Sequence, residues 1–166
     1  MKNDTGTDQI VIPARPPLPP GATNYVTPRG MSMLREELAG MEAERARLMN
    51  SGGDDDADRN LQVASLAQRI REIIGRIESA KVVDPAGQPR DKVRFGATAT
   101  VQTTAGRQPG EVRRVTIVGV DEADPPAGLV SFLSPIARAI IGLRVGETAC
   151  LRTVNGEEDL EILDIV

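Results

Sequence analysis

The chain has 166 residues, room for one ordinary domain or two small ones; 27% are charged, 40% hydrophobic and only 2% aromatic, so any core is aliphatic. It has no histidine and one cysteine, Cys150, which excludes an internal disulfide and any Cys–His or Ser–His–Asp catalysis within the chain, leaving carboxylate, lysine, tyrosine or hydroxyl chemistry, or none of its own. The net charge of −4 argues against a general nucleic-acid binder.

No apolar run approaches the roughly 18 residues of a membrane span. The N-terminus MKNDTGTDQI lacks the apolar stretch of a secretory signal, so a cytoplasmic location with no membrane partner is expected. Residues 1–24 read as a proline-rich, flexible tail. PARPPLPP (13–20) has five prolines in eight positions, which favours polyproline II and forbids a helix. A ligand for a proline-binding module is the sharper reading of that run; a loose tail is the simpler one.

Residues 25–84 pattern as an antiparallel coiled-coil domain. Thr27 is a good N-cap and Pro28 suits the first helical position. Met31, Leu34, Leu38, Met41 and Leu48 keep heptad spacing, with Arg45 in the one slot that should be apolar and its stem able to lie across the seam. The helix should stop at Ser51-Gly52-Gly53. A second helix is expected from about Ala57 to Ala80, with Val63, Leu66, Ile70, Ile73 and Ile77 as its stripe. Two narrow stripes joined by a short link predict a hairpin with arms of roughly 35 Å, its free end in solvent.

That free end is SGGDDDADRN (51–60), with four aspartates in five positions: Asp54, Asp55, Asp56 and Asp58. Helix capping accounts for one or two of them, at about 0.3–1 kcal/mol each. Neighbouring like charges repel, so capping does not account for four. Solubility of an exposed turn is a second simple reading. An EF-hand loop needs glycine and glutamate where this chain has Arg59 and Ser65. The functional reading is a rod whose acids, Asp54, Asp56 and Asp58 above all, reach a magnesium ion held in another protein and share it there.

Residues 85–92 read as a linker, with prolines and a glycine breaking the pattern in 82–91. From 93 to 166 the period changes to strands, expected at 93–103, 111–120, 128–134, 147–154 and 157–166. In the last, Leu160, Ile162, Asp164 and Val166 alternate with Glu161, Leu163 and Ile165. Asn155-Gly156 marks a hairpin turn. Ser134 and Pro135 start a short helix that Gly142 ends. The fold class is therefore α+β: an N-terminal coiled-coil hairpin, then a small antiparallel sheet domain with one short helix. Ile136, Ile140 and Ile141 are expected in the core, and Cys150 is expected to be a small buried hydrophobe in a strand.

In order and spacing, TPRGMSMLREEL (27–38), AKVVDP (80–85), FGATATV (95–101), IVGVDEAD (117–124) and SPIARAIIGLRVGE (134–147) resemble the Gre family of bacterial transcript cleavage factors, the relatives of GreA and GreB. The likeness spans about residues 24–166. It implies an FKBP-like fold for 93–166, docking on RNA polymerase through Ser134 and Pro135, and a coiled coil that enters the secondary channel. The tip acids would help hold the second magnesium while polymerase cleaves backtracked RNA. The factor would be no enzyme itself, with no catalytic residue of its own, and would bind no cofactor stably.

The chain departs from the family's tip pattern, G-D-x-x-E-N-A-[DE]-Y. Gly53-Asp54 matches its start, but Ala57 falls on the glutamate; aligned on Asn60, Asp56 falls on the aspartate and Arg59 on the glutamate. The hairpin is shorter by about one to two turns per arm, up to roughly 10 Å of reach. Leu133 stands where the family often has Asp or Asn. Some relatives with aspartate-rich tips inhibit polymerase, so cleavage and a non-cleaving or inhibitory role both stay open. Arg69, Arg71 and Arg76 are either a patch for nascent RNA or a solvated face. A peptidyl-prolyl isomerase would need an aromatic-lined pocket, and the second half offers only Phe95 and Phe132. A self-associating coiled coil is disfavoured because the linked helix is at high effective concentration, so a monomer is expected.

Overall fold

Thr27 opens the first long helix, α1 (Pro28–Asn50), in a computed structural model that describes residues 15–52 and 56–166. Its hydroxyl accepts the Gly30 N–H at 3.0 Å, and Pro28 sits in the first turn. The helix ends on Ser51, extended at φ −77°, whose hydroxyl donates to the Leu48 carbonyl at 2.9 Å. The serine makes the stop; Gly52 does not enter the left-handed region. The second helix, α2 (Asp56–Glu78), has the same 23 residues, so each arm is about 34 Å long.

The two stripes meet as their spacing requires. Met31 and Leu34 near the start of α1 are buried with Ile70 and Ile73 near the end of α2. Leu38, Met41, Leu48, Val63, Leu66 and Ile77 are half-buried, and so is Arg45 in its seam position. Packing is densest at the root, where Val26, Met31, Leu34 and Ile73 form a small core of their own.

Strand β1 (Asn24–Val26) pairs in parallel with β2 (Ala80–Val82) and closes the root. The stretch read as a loose tail is therefore pinned from Arg15 onward, by contacts described below; residues 1–14 lie outside the described residues. After β2, Asp84 caps a single 3-10 turn, Pro85–Gly87, by accepting the Ala86 N–H at 2.9 Å.

The second half is a five-stranded sheet of β3 (Thr98–Ala105), β4 (Val112–Val118), β5 (Leu129–Ser131), β6 (Thr148–Thr153) and β7 (Gly156–Ile165), in the order β5-β4-β3-β7-β6. All neighbours are antiparallel except β4 and β5, which are parallel. The sheet is thus mixed. The segment 119–128, with 3-10 turns at Val120–Glu122 and Pro125–Ala127, carries the chain back to start β5 alongside β4. Helix α3 (Pro135–Ile140) covers the core of Val101, Ile117, Ile140, Leu160 and Ile162, each fully buried. No helix among the described residues is long and apolar enough to cross a membrane.

Three expectations are corrected. In β7, Thr100 pairs with Asp164 but Val101 pairs with Ile162, so Leu163 is an extra, bulged residue. The bulge moves Ile165 onto the inner face with Leu160 and Ile162, and leaves Leu163 39% and Val166 44% exposed. Cys150 is exposed, because it lies on the outer face of β6, opposite buried Leu151. Ile141 is exposed too, since α3 ends one residue earlier, while Ile140 is buried.

Candidate functional site

At the tip, the guanidinium of Arg59 donates to the Ser51 carbonyl at 2.8 Å. A cation from the first turn of α2 thus sits at the negative end of α1, where the helix dipole favours it. Counting back from Val63 in heptads places position 59 on the seam side and 58 on the outer side. Asp58 is exposed in the first turn of α2. Asp54, Asp55 and the side chain of Asp56 lie outside what is described. Among the described residues no three of His, Cys, Asp and Glu come together as a metal-ligand group.

Ser134 and Pro135 lie at the start of α3. The Ser134 hydroxyl accepts the Ala137 N–H at 3.3 Å, so it serves as the helix cap, and Pro135 is exposed. Pro135 edges an open groove of about 840 Å³ with Pro125, Pro126, Ile136, Leu151 and Val154. This groove is apolar, bordered by Arg113, Arg114 and Arg152, and holds no aromatic side chain. The chain's three aromatics instead form a cluster of tilted and edge-to-face contacts: Tyr25, Phe95 and Phe132 have ring centroids 5.6–5.7 Å apart. They join β1 to the sheet domain.

The most heavily partnered polar residues are ones that motif reading left without a role. Asp121 and Glu122, from IVGVDEAD, sit in the 3-10 turn where the sheet domain meets the hairpin root. Glu122 is only 5% exposed. Thr27 donates its hydroxyl proton to Glu122 Oε2 at 2.6 Å while accepting from Gly30, and the Arg29 guanidinium lies 3.6 Å from Oε1. A carboxylate is thus held at the positive end of α1. A Cβ on Gly30 would lie 2.6 Å from that same Oε2, which is why glycine stands one turn into the helix. Gly119 makes a similar close approach, its would-be Cβ 2.6 Å from the Tyr25 carbonyl oxygen.

Asp121 gathers two arginines. Arg76, 7% exposed, brings Nε to 3.4 Å, and Arg15 hydrogen-bonds it directly. Arg15 also donates to Glu37 of α1 at 2.6 Å. The Arg76 Nη2 donates to the Pro16 carbonyl at 2.6 Å, and the Arg76 carbonyl accepts from Asn24 at 2.8 Å. Burial alone would lower the Arg15 pKa; the hydrogen bond to Glu37 and the charge of Asp121 outweigh it and raise the value, so the side chain stays charged. Arg76 is therefore a buried junction residue, whereas Arg71 is exposed and bonded to Gln68 at 2.6 Å. One signal was available in the sequence: two adjacent acids following an apolar strand must find partners if the turn is buried.

Residues 88–166 match the family model described as the C-terminal part of transcription elongation factor GreA/GreB. Over 155 residues the chain is 34% identical to transcription elongation factor GreB of Neisseria meningitidis serogroup B, covering 86% of this chain and 93% of that protein. It is 37% identical over 153 residues to transcription elongation factor GreA of Alkalilimnicola ehrlichii, covering 84% and 95%. A solved structure titled as a prokaryotic GreA/GreB elongation factor from Nitrosomonas europaea is 18% identical, covers 87% of this chain and 98% of its own, and has a TM-score of 0.41.

Proposed function

This chain belongs to the GreA/GreB family of transcription elongation factors, and from that premise we propose that it binds RNA polymerase, inserts its hairpin into the secondary channel and acts on backtracked complexes. The observation that carries the reading is the hairpin itself: two 23-residue helices whose free end bears the aspartates and whose root is locked to a separate sheet domain. A rod of about 34 Å with an acidic end suits a deep, narrow site holding a cation. The sheet domain stays outside and docks through Pro135 and the apolar groove beside it, with Ser134 shaping the loop as the cap of α3.

The metal is the polymerase's magnesium, which supplies charge neutralisation at the reacting phosphate when bound. Asp58, exposed on the outer side of α2, offers one carboxylate to it, and Asp54, Asp55 and Asp56 are the neighbouring candidates. The factor contributes ligands in trans, holds no metal or other cofactor stably by itself and is no enzyme alone. It works in the cytoplasm as a monomer; sedimentation should give one mass across a hundredfold range of concentration, and a rising mass would sink that expectation.

A second reading is a secondary-channel regulator that does not promote cleavage. It is favoured by Arg59, which falls on a family acid position in the alignment on Asn60 and is engaged with the Ser51 carbonyl. One experiment separates the two. Cognate polymerase is stalled in a backtracked state with magnesium, and the RNA 3′ end is followed with the wild-type chain or with Asp54, Asp55, Asp56 and Asp58 all changed to Ala. Release of short 3′ fragments, lost by at least tenfold in the variant, is the expected result. Absence of cleavage together with competition against a genuine cleavage factor selects the second reading. Neither effect would overturn polymerase binding.

A further inference from the structure

The proline-rich segment from Arg15 makes more contacts with the hairpin root than a passing tail would. One Arg15 guanidinium bonds Glu37 on α1 and Asp121 on the sheet domain. The next residue, Pro16, gives its carbonyl to Arg76 on α2, a cation 7% exposed. Pro17 and Leu18 line a cleft with Glu72, Gly75 and Ser79 of the same root. The chain then turns, with Ala22 N–H donating to the Pro19 carbonyl at 3.0 Å, and enters β1. Three structural units are tied by a few residues.

We propose that residues 15–22 form a strap that fixes the angle between the coiled-coil hairpin and the sheet domain. The composition fits the task. Prolines at 16, 17, 19 and 20 restrict the free chain, so pinning it loses little conformational entropy. The electrostatics fit as well. With the strap in place, half-buried Asp121 has two cations and Arg76 has a carbonyl for Nη2; without it, Asp121 keeps one cation and that nitrogen loses its partner. An under-compensated buried pair is a weak joint. The arm amplifies any looseness, since a 10° swing of a 34 Å rod moves its end by about 6 Å. The strap thereby decides where the acidic tip points. This holds whether or not the chain binds polymerase.

The native Cys150, exposed on β6, provides one label site on the sheet domain, and Met49→Cys, near the tip of α1 and 66% exposed in the parent, provides the other. Pulsed dipolar spectroscopy between spin labels at these two sites reads the angle as a distance distribution. A narrow distribution is expected for the full chain. A variant lacking residues 1–20, and the point variant Arg15→Ala, should each widen it at least twofold while the helical circular dichroism signal is kept. Arg15→Lys, able to hold only part of the bridge, should fall between. A width in the deletion equal to that of the full chain would overturn the strap. Should the deletion lose its helical signal, Arg15→Ala decides by the same criterion.

Discussion

Replacing Leu160 by alanine is expected to lower the stability of the sheet domain by about 3–4 kcal/mol, whereas Leu163→Ala should cost under about 1 kcal/mol. Both leucines lie in β7, three residues apart. Leu160 is fully buried between Thr103 of β3 and Ala149 of β6 and sits in the main core. Its loss removes apolar contact on both sides and leaves a void that the close-packed sheet and α3 cannot fill. Leu163 is the bulged residue, 39% exposed, and gives up little. Urea unfolding followed by circular dichroism measures both. Equal losses would mean that Leu163 is packed as tightly as Leu160, against its exposed place outside the core.

That pair of variants marks the limit of what the sequence discloses. The hairpin was legible because its signals agree: a capping threonine, a proline at the first turn, two seven-residue stripes and a short link. The strands were legible in number and rough extent. Register within β7 was not, because apolar residues fall on both alternating faces from Leu160 to Val166, and only pairing with Thr100 and Val101 decides which residue is left over. Cys150 was misplaced for a related reason. A small apolar residue in a strand reads as buried, and nothing local says that Leu151, not Cys150, holds the inner face of β6.

The candidate site divides the same way. The aspartates were visible as a charge run at a turn, and Ser134 as a cap. The role proposed for them lies at a partner's surface, so no contact within the chain marks it. Arg15, Arg76, Asp121 and Glu122 were opaque because each is ordinary alone. They become a unit only when residues more than 100 positions apart, such as Arg15 and Asp121, meet. The proline run concealed the strap most thoroughly, since forbidding a helix says nothing about whether the segment is docked.

Glu122→Ala is expected to destabilise the chain by about 2–3 kcal/mol, and its coupling to Gly30 gives a sharper result than its size. The charge-assisted bond from Thr27 contributes about 1.5–3 kcal/mol, and a carboxylate at the start of α1 about 0.3–1 more. Relief from burying the charge offsets part of this. Gly30→Ala should by helix propensity alone gain about 1 kcal/mol. In the native chain the new Cβ would meet Glu122 Oε2 at 2.6 Å and force the carboxylate off Thr27, so the net change should be a loss of about 1 kcal/mol or more. In the Glu122→Ala background that obstacle is gone, and Gly30→Ala should turn stabilising by up to about 1 kcal/mol. A double-mutant cycle by urea unfolding reads the reversal directly. If Gly30→Ala has one sign in both backgrounds, the glycine is not there for Glu122, and contacts other than this carboxylate hold the root of the hairpin to the sheet domain.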